Sequence, residues 1–172
     1  MTFFQDKPSH PFWAFSLDFY GKVRVEETLL ALQNSRGLDV NLILLCVWLG
    51  TKGVSLQKES MQKLVGLSSG WHLQAVLPLR QLRQSLKEPV AGIDRDDAER
   101  VRQGIKELEL ATERMQQDML FQALEELPGK DARLADRAGV IRGNLSRYAS
   151  AAAIRVGGEE RGYFETLVQA AI

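Results

Sequence analysis

The chain has 172 residues, 45% apolar and 26% charged, with 22 basic and 22 acidic side chains and so no net charge. That size and composition fit a globular domain able to bury its own core, and the zero balance argues against a dedicated nucleic-acid binder, which carries a basic excess. The single cysteine, Cys46, excludes an internal disulfide and lies in the most apolar stretch, where it reads as a buried free thiol suited to a reducing compartment.

Met1 to Pro11 holds Asp6, Lys7 and His10 and no apolar h-region, so it reads as a loose leader rather than a signal peptide. A first helix is predicted from Pro11, a favoured first-turn residue, with Ser9 or His10 near the cap and Gly21 as its stop. Phe12, Trp13, Phe15, Leu17, Phe19 and Tyr20 make it rich in aromatics that need a large partner surface. A second helix over 24–35 presents Val25, Leu29, Leu30 and Leu32 and ends at Arg36-Gly37.

The next stretch, Val40 to Leu49, is apolar on every face and opens after Asp39, a good N-cap. A helix with no polar face belongs inside a bundle or in a membrane. This one is about half the roughly 20 residues needed to cross a bilayer, so it is expected at the centre of a bundle. Asn41, within its first turn, is expected to bond a neighbouring loop or line a small polar pocket.

Gly50 and Gly53 break the chain, and Ser55 is expected to cap a third amphipathic helix to about Val65. Gly66, Ser68, Ser69 and Gly70 read as a loop. Trp71 opens a further helix to about Leu86, which Pro78 should kink or split. Arg80, Arg83 and Lys87 lie at i, i+3 and i+7 on its one face. Glu88 to Gly92 is the strongest internal break. Asp94 or Asp96 then starts the longest helix, to about Leu127, with Ala98, Val101, Ile105, Leu108, Met115 and Met119 forming a stripe close to a heptad pattern. Glu107, Glu109 and Glu113 read as its solvated face. Pro128-Gly129 stops it. Beyond, Ala132, Leu134, Ala138, Ile141 and Leu145 suggest a helix, and Glu159 to Ala171 a short final one with Tyr163, Phe164, Leu167 and Val168 on its apolar side.

The chemistry-bearing patterns are few. His10 and His72 have no glutamate three residues before them, so the paired Glu-x-x-His of bundle metal sites is missing. Asp94, Asp96 and Asp97 form one acidic cluster at a helix start, where acids favour the positive end of the dipole. Gly50-x-x-Gly53 lacks the lysine and hydroxyl residue of a phosphate loop. Cys46, between Leu45 and Val47, has no activating histidine beside it. No metal and no cofactor is expected. The positive feature is the basic face of Arg80, Arg83 and Lys87, which reads either as an external binding face or as cations paired inside the fold. With Asn41, Trp48 and Trp71, these residues are the candidate binding positions.

Phe12-Trp13-Ala14-Phe15-Ser16-Leu17, Leu32-Gln33 and the run from Gly37-Leu38-Asp39-Val40-Asn41-Leu42 to Cys46-Val47-Trp48 resemble a family of proteobacterial conserved hypothetical proteins. Its pattern reads F-W-x-F-S-L, then L-Q-x-x-x-G-x-D-V-N-L-L-L-F-C-x-W. Trp71 and Pro78-Leu79-Arg80-x-x-Arg83 are also similar to it. Ile43 and Leu45 replace the family's Leu and Phe. The resemblance covers roughly residues 12–120 and implies a compact helical domain, without an activity, a cofactor or active-site residues.

The reading is therefore an all-α protein, a single helical bundle with a central apolar helix at about 40–49 and one long amphipathic helix at about 94–127. Residues 1–127 are expected as the core domain and 128–172 as a helical extension packing on it or on a partner. Removing 128–172 is expected to leave the bundle folded. The function expected is that of a non-enzymatic cytoplasmic interaction or adaptor protein, engaging a protein partner or itself through the long helix and the C-terminal segment, with no membrane and no nucleic acid. The alternatives are a small-ligand-binding protein or enzyme with a pocket near Asn41, Trp48 and Arg80, and an RNA- or ribosome-associated factor using the basic face.

Overall fold

The structure, a computed structural model, describes residues 10–127, 131–132 and 136–172. The protein is an all-α bundle. Its helices are α1 (Pro11–Tyr20), α2 (Val25–Arg36), α3 (Val40–Thr51), α4 (Lys58–Trp71), α5 (Leu77–Ser85), α6 (Arg95–Ala123), α7 (Arg137–Ala151) and α8 (Gly158–Ala171). A π-helical turn, His72–Val76, joins α4 to α5, and a 3-10 turn, Leu124–Glu126, ends α6. Val54–Ser55 pairs antiparallel with Asp131–Ala132 as a minimal ladder.

Each boundary has a local cause. Pro11 stands at the first position of α1, and His10 caps it by accepting from the Trp13 N–H at Nδ1, 3.1 Å away. Gly37 closes α2 with φ +66, a conformation that favours glycine, and its N–H donates to the Gln33 carbonyl. Asp39 starts α3 by accepting from the Asn41 N–H.

Every residue of α3 from Val40 to Gly50 is buried, as expected for a helix with no polar face. Around it, Phe12 and Phe19 of α1, Leu29 and Leu32 of α2, Met61 and Leu64 of α4, Leu120 of α6, Ile141 and Leu145 of α7, and Leu167 and Val168 of α8 fill one apolar cluster. The approach of α7 is the closest. A Cβ at Gly50 would overlap the Ile141 side chain and come within 2.8 Å of its Cα. Asn144, fully buried, fastens the same pair by accepting from the Leu56 N–H at 3.0 Å and donating to the Val54 and Cys46 carbonyls.

The structure corrects the sequence reading in three places. Ser55 lies in the ladder, and Gln57 stands at the start of α4. Gly66 to Gly70 is helix rather than loop: Ser68 and Ser69 bond elsewhere through their hydroxyls, and both glycines face open space. Trp71 consequently ends α4 instead of opening a helix, and the break ahead of Pro78 takes the form of a π turn in which the Leu77 N–H reaches back to the His72 carbonyl. Third, the apolar stripe of the long helix is only in part its buried face. Ile105, Glu109, Gln116 and Leu120 point inward, while Val101, Leu108 and Met115 are 57%, 37% and 42% exposed. The helix turns this way because the surfaces it meets first, α5 and the start of α3, are polar. The expected leader and the Pro128-Gly129 stop lie outside the described residues, as does Leu134.

Candidate functional site

No residue between Val65 and Leu120 belongs to the central apolar cluster. Polar side chains join this part of the chain to the rest, and they begin at Asp39. Its Oδ2 accepts from Ser68 Oγ at 2.7 Å and from Gln116 Nε2 at 2.5 Å, while Oδ1 takes the Asn41 N–H at 2.9 Å. His72 Nδ1, carried by the π turn, stands 3.6 Å from Oδ2. The Asp39 N–H donates to Tyr148 Oη at 2.7 Å, so α7 holds the same residue from the other side.

The chain of bonds continues. Asn41 Nδ2 donates to Gln116 Oε1 at 2.7 Å, Gln117 Nε2 to Asn41 Oδ1 at 2.8 Å, and Ser16 Oγ to Gln117 Oε1 at 3.0 Å. Ser16, Asn41, Ser68, Gln116 and Gln117 are all buried. Each amide matches a donor to an acceptor, which is what makes a polar network tolerable in a low-dielectric interior. The result is a seam across α1, α3, α4 and α6 that fixes their register.

One turn away, ion pairs hold α5 to α6. Arg80 donates from Nε to Glu109 Oε1 at 2.7 Å and from Nη2 to Glu113 Oε1 at 2.5 Å, and Arg83 Nε donates to Glu109 Oε2 at 2.5 Å. Glu109 and Glu113 are thus turned inward rather than standing on a solvated face. Burial works to raise the Glu109 carboxyl, but hydrogen bonds from Arg83 and Arg80 outweigh it and hold the group below the usual carboxylate range. Glu113 has a weaker share of the guanidinium charge. Burial pushes it up to about 7 against the pull of Arg80, with Glu109 and Asp39 adding to the rise. Burial also raises the Tyr20 phenol to about 12, and the carboxylates of Glu26 and Glu113 add to it.

Of the residues singled out by sequence, four gather here. Asn41 is in the seam, Arg80 and Arg83 form the clamp, and Trp71 Nε1 donates to the Thr112 carbonyl of α6 at 2.9 Å. Two lie elsewhere. Trp48 is buried near the far end of α3 against the Phe12 and Phe121 rings. Lys87 follows α5 and lines a cleft of about 330 Å³ with Leu86, Val90, Ile93, Arg95 and Arg102. Arg80, Arg83 and Lys87 therefore do not present one open basic face.

Sequence reasoning missed Glu109, Glu113, Gln116, Ser68, His72 and Tyr148 as members of this assembly. The signal along the long helix is the interruption of its apolar register at Thr112, whose carbonyl takes the Trp71 indole N–H, and at Gln122. Outside the clamp, α6 leaves Val101, Leu108 and Met115 at seven-residue spacing on an open face, beside the exposed Gly104 and Glu107. Among the described residues, no group of three or more histidines, cysteines or acids is placed to hold a metal ion, and no helix is long and apolar enough to cross a membrane.

The model of a family described as protein of unknown function, DUF2390, matches residues 11–120. The chain belongs to that family. The DUF2390 match runs from the first turn of α1 to Leu120 of α6, and so takes in the clamp, the open α6 face and every seam residue except Tyr148. No curated protein and no solved structure matches the chain.

Proposed function

We propose that this DUF2390 protein is a non-enzymatic interaction protein, an adaptor that docks a protein partner on the open face of α6. The supporting observation is the exposure of Val101, Leu108 and Met115 on a helix whose adjoining face is occupied by Ile105, Glu109 and Gln116. Burying exposed apolar area is the main driving force of association, and side chains spaced by seven on a helix form one continuous seam for a second helix. The polar groups of the seam itself bond to one another, so their role in this reading is to hold α6 in place. A cytoplasmic, bacterial setting belongs to the same proposal. It rests on the resemblance carried by Phe12–Leu17 and Gly37–Trp48 and on the buried free thiol of Cys46.

The test is co-purification of the tagged full chain and of its Leu108→Glu variant, with helicity and unfolding midpoint measured on both. A discrete partner retained by the parent and lost by a folded Leu108→Glu supports the reading. Equal retention by both, or loss of retention only through unfolding, removes it.

A further inference from the structure

The flank of the open α6 face carries alternating charge. Arg100, Glu107 and Arg114 follow one another at seven-residue spacing along one edge of the Val101–Leu108–Met115 stripe. Arg114 is fixed on that edge with its guanidinium 5.2 Å over the Trp13 ring, and Glu107 is exposed. The stripe itself alternates large and small residues. Gly104 and Ala111 sit between Val101, Leu108 and Met115, and nothing lies within 4 Å of where a Gly104 Cβ would stand.

Such an edge is complementary to itself. In a two-fold pair of antiparallel helices each contact occurs twice, residue i on j and j on i. Edge positions of opposite charge set the register of such a pair. An unshifted pairing sets Glu107 of one copy against Glu107 of the other and Arg100 against Arg114, so that like charges oppose. It also leaves Met115 at the end of the contact, against Asp97. Sliding by one heptad puts Glu107 of one copy against Arg114 of the other, twice. The same slide sets Leu108 over Ala111 and Met115 over Gly104 of the second copy, again twice. Large residues then meet small ones in four consecutive layers, with Met115 inside the contact. The unshifted pairing also sets Val101 over Ala111 and Leu108 over Gly104, twice each, so it is the charges that select the shifted register.

We infer that α6 pairs antiparallel with α6 of a second copy of this chain, centred between Glu109 and Leu110, through Gly104, Leu108, Ala111 and Met115 with reciprocal Glu107–Arg114 ion pairs. This rests on the reading of the open α6 face as the docking surface, and it names the occupant.

The experiment is sedimentation equilibrium on the full chain, run with Glu107→Arg, with Arg114→Glu, and with their equimolar mixture. The parent should sediment at twice the chain mass at about 100 μM, in the micromolar range of affinity that one helix pair supports. Each variant alone sets like charges against one another and should dimerise about tenfold more weakly, while the mixture pairs opposite charges at both ends and should recover the parent affinity. A second measurement avoids Arg114. Gly104→Cys mixed with Met115→Cys should form a disulfide-linked heterodimer on mild oxidation faster than either variant links to itself. A monomeric parent, a dimer indifferent to both charge reversals, or equal self-linkage of the cysteine variants overturns the inference. Where a monomeric parent still captures another protein in a Leu108-dependent way, the docking face stands and the second copy as its occupant does not.

Discussion

Gly50 of α3 and Ile141 of α7 meet so closely that no side chain fits between them; a Cβ on Gly50 would lie 2.9 Å from the Ile141 backbone nitrogen. The obstacle is backbone and cannot swing away as a side-chain tip would. Gly50→Ala should therefore destabilise the fold by about 1–3 kcal/mol through overpacking. Gly66→Ala, on the open face of α4, should stabilise it by about 0.5–1 kcal/mol, because alanine restricts the unfolded chain more than glycine. Urea titration of the two variants should give midpoints that move in opposite directions, and a shift of the same sign in both would remove this account of Gly50.

Asp39 is the most connected residue of the seam. Asp39→Ala removes an N-cap and leaves Ser68 and Gln116 without their acceptor in the interior. Lost caps and buried unsatisfied groups each cost about 1–2 kcal/mol, so a loss of roughly 3 kcal/mol is expected. Ser68→Ala should cost about 1 kcal/mol, and the double variant less than the sum, because both changes break one bond. Strict additivity in denaturation would show that the two residues do not act as a unit.

The Glu113 carboxyl, raised from 4.5 to about 7, makes stability pH-dependent with a definite sign. A carboxyl that holds its proton more tightly folded than unfolded adds stability that is fully present below the unfolded pKa. That stability declines as pH rises toward the folded pKa and is gone above it. The unfolding midpoint should accordingly fall between pH 5 and pH 8 for this group. Glu113→Gln, which mimics the protonated form, should flatten the fall; an unchanged slope in the variant would place the titration elsewhere.

Cys46 is buried, its thiol is pushed well above the ordinary range by burial, and its Sγ lies 3.6 Å from the Asn144 carbonyl. Reaction needs thiolate and access. Labelling of the native protein by a soluble disulfide reagent should therefore be limited by unfolding and should accelerate in Gly50→Ala. Rapid labelling of the native parent chain would contradict the burial of α3.

The packing of α7 bears on truncation. Ile141, Leu145, Tyr148 and Ala149 cover α3, and Phe164, Leu167 and Val168 extend the same cluster. A chain ending at Leu127 would expose the Cys46–Gly50 side of α3 to water. It should lose cooperative thermal unfolding and bind an apolar dye, the opposite of the outcome expected from sequence. A sharp transition in the truncated chain would show that the first six helices suffice.

Much of this arrangement is legible in the residues. Uninterrupted apolarity from Val40 to Leu49 locates the centre, and Asp39, Gly37 and Pro11 mark boundaries through their backbone preferences. Two kinds of information are not local. Glycine and serine at Gly66–Gly70 read as a loop because their helix propensity is poor, yet Ser68 answers to Asp39, 29 residues earlier. Apolar spacing alone finds only part of the inner face of α6, whose partners, Asn41, Arg80 and Arg83, select Gln116, Glu109 and Glu113. Arg80 stands on a recognisable basic edge, but its pairing inside the fold depends on acids 29 and 33 residues further on.

The turn from His72 to Val76 contains one residue more than an α-helical turn would. Along a helix, each residue is rotated by about 100° from the one before it. Because the wider turn absorbs that extra residue, deleting one there, Gln74 for instance, would let an ordinary α-helical turn form with Arg80 and Arg83 still facing Glu109 and Glu113. A second inserted residue has no such turn to absorb it and would rotate both guanidiniums away from their glutamates, so this span should tolerate a one-residue deletion better than a one-residue insertion.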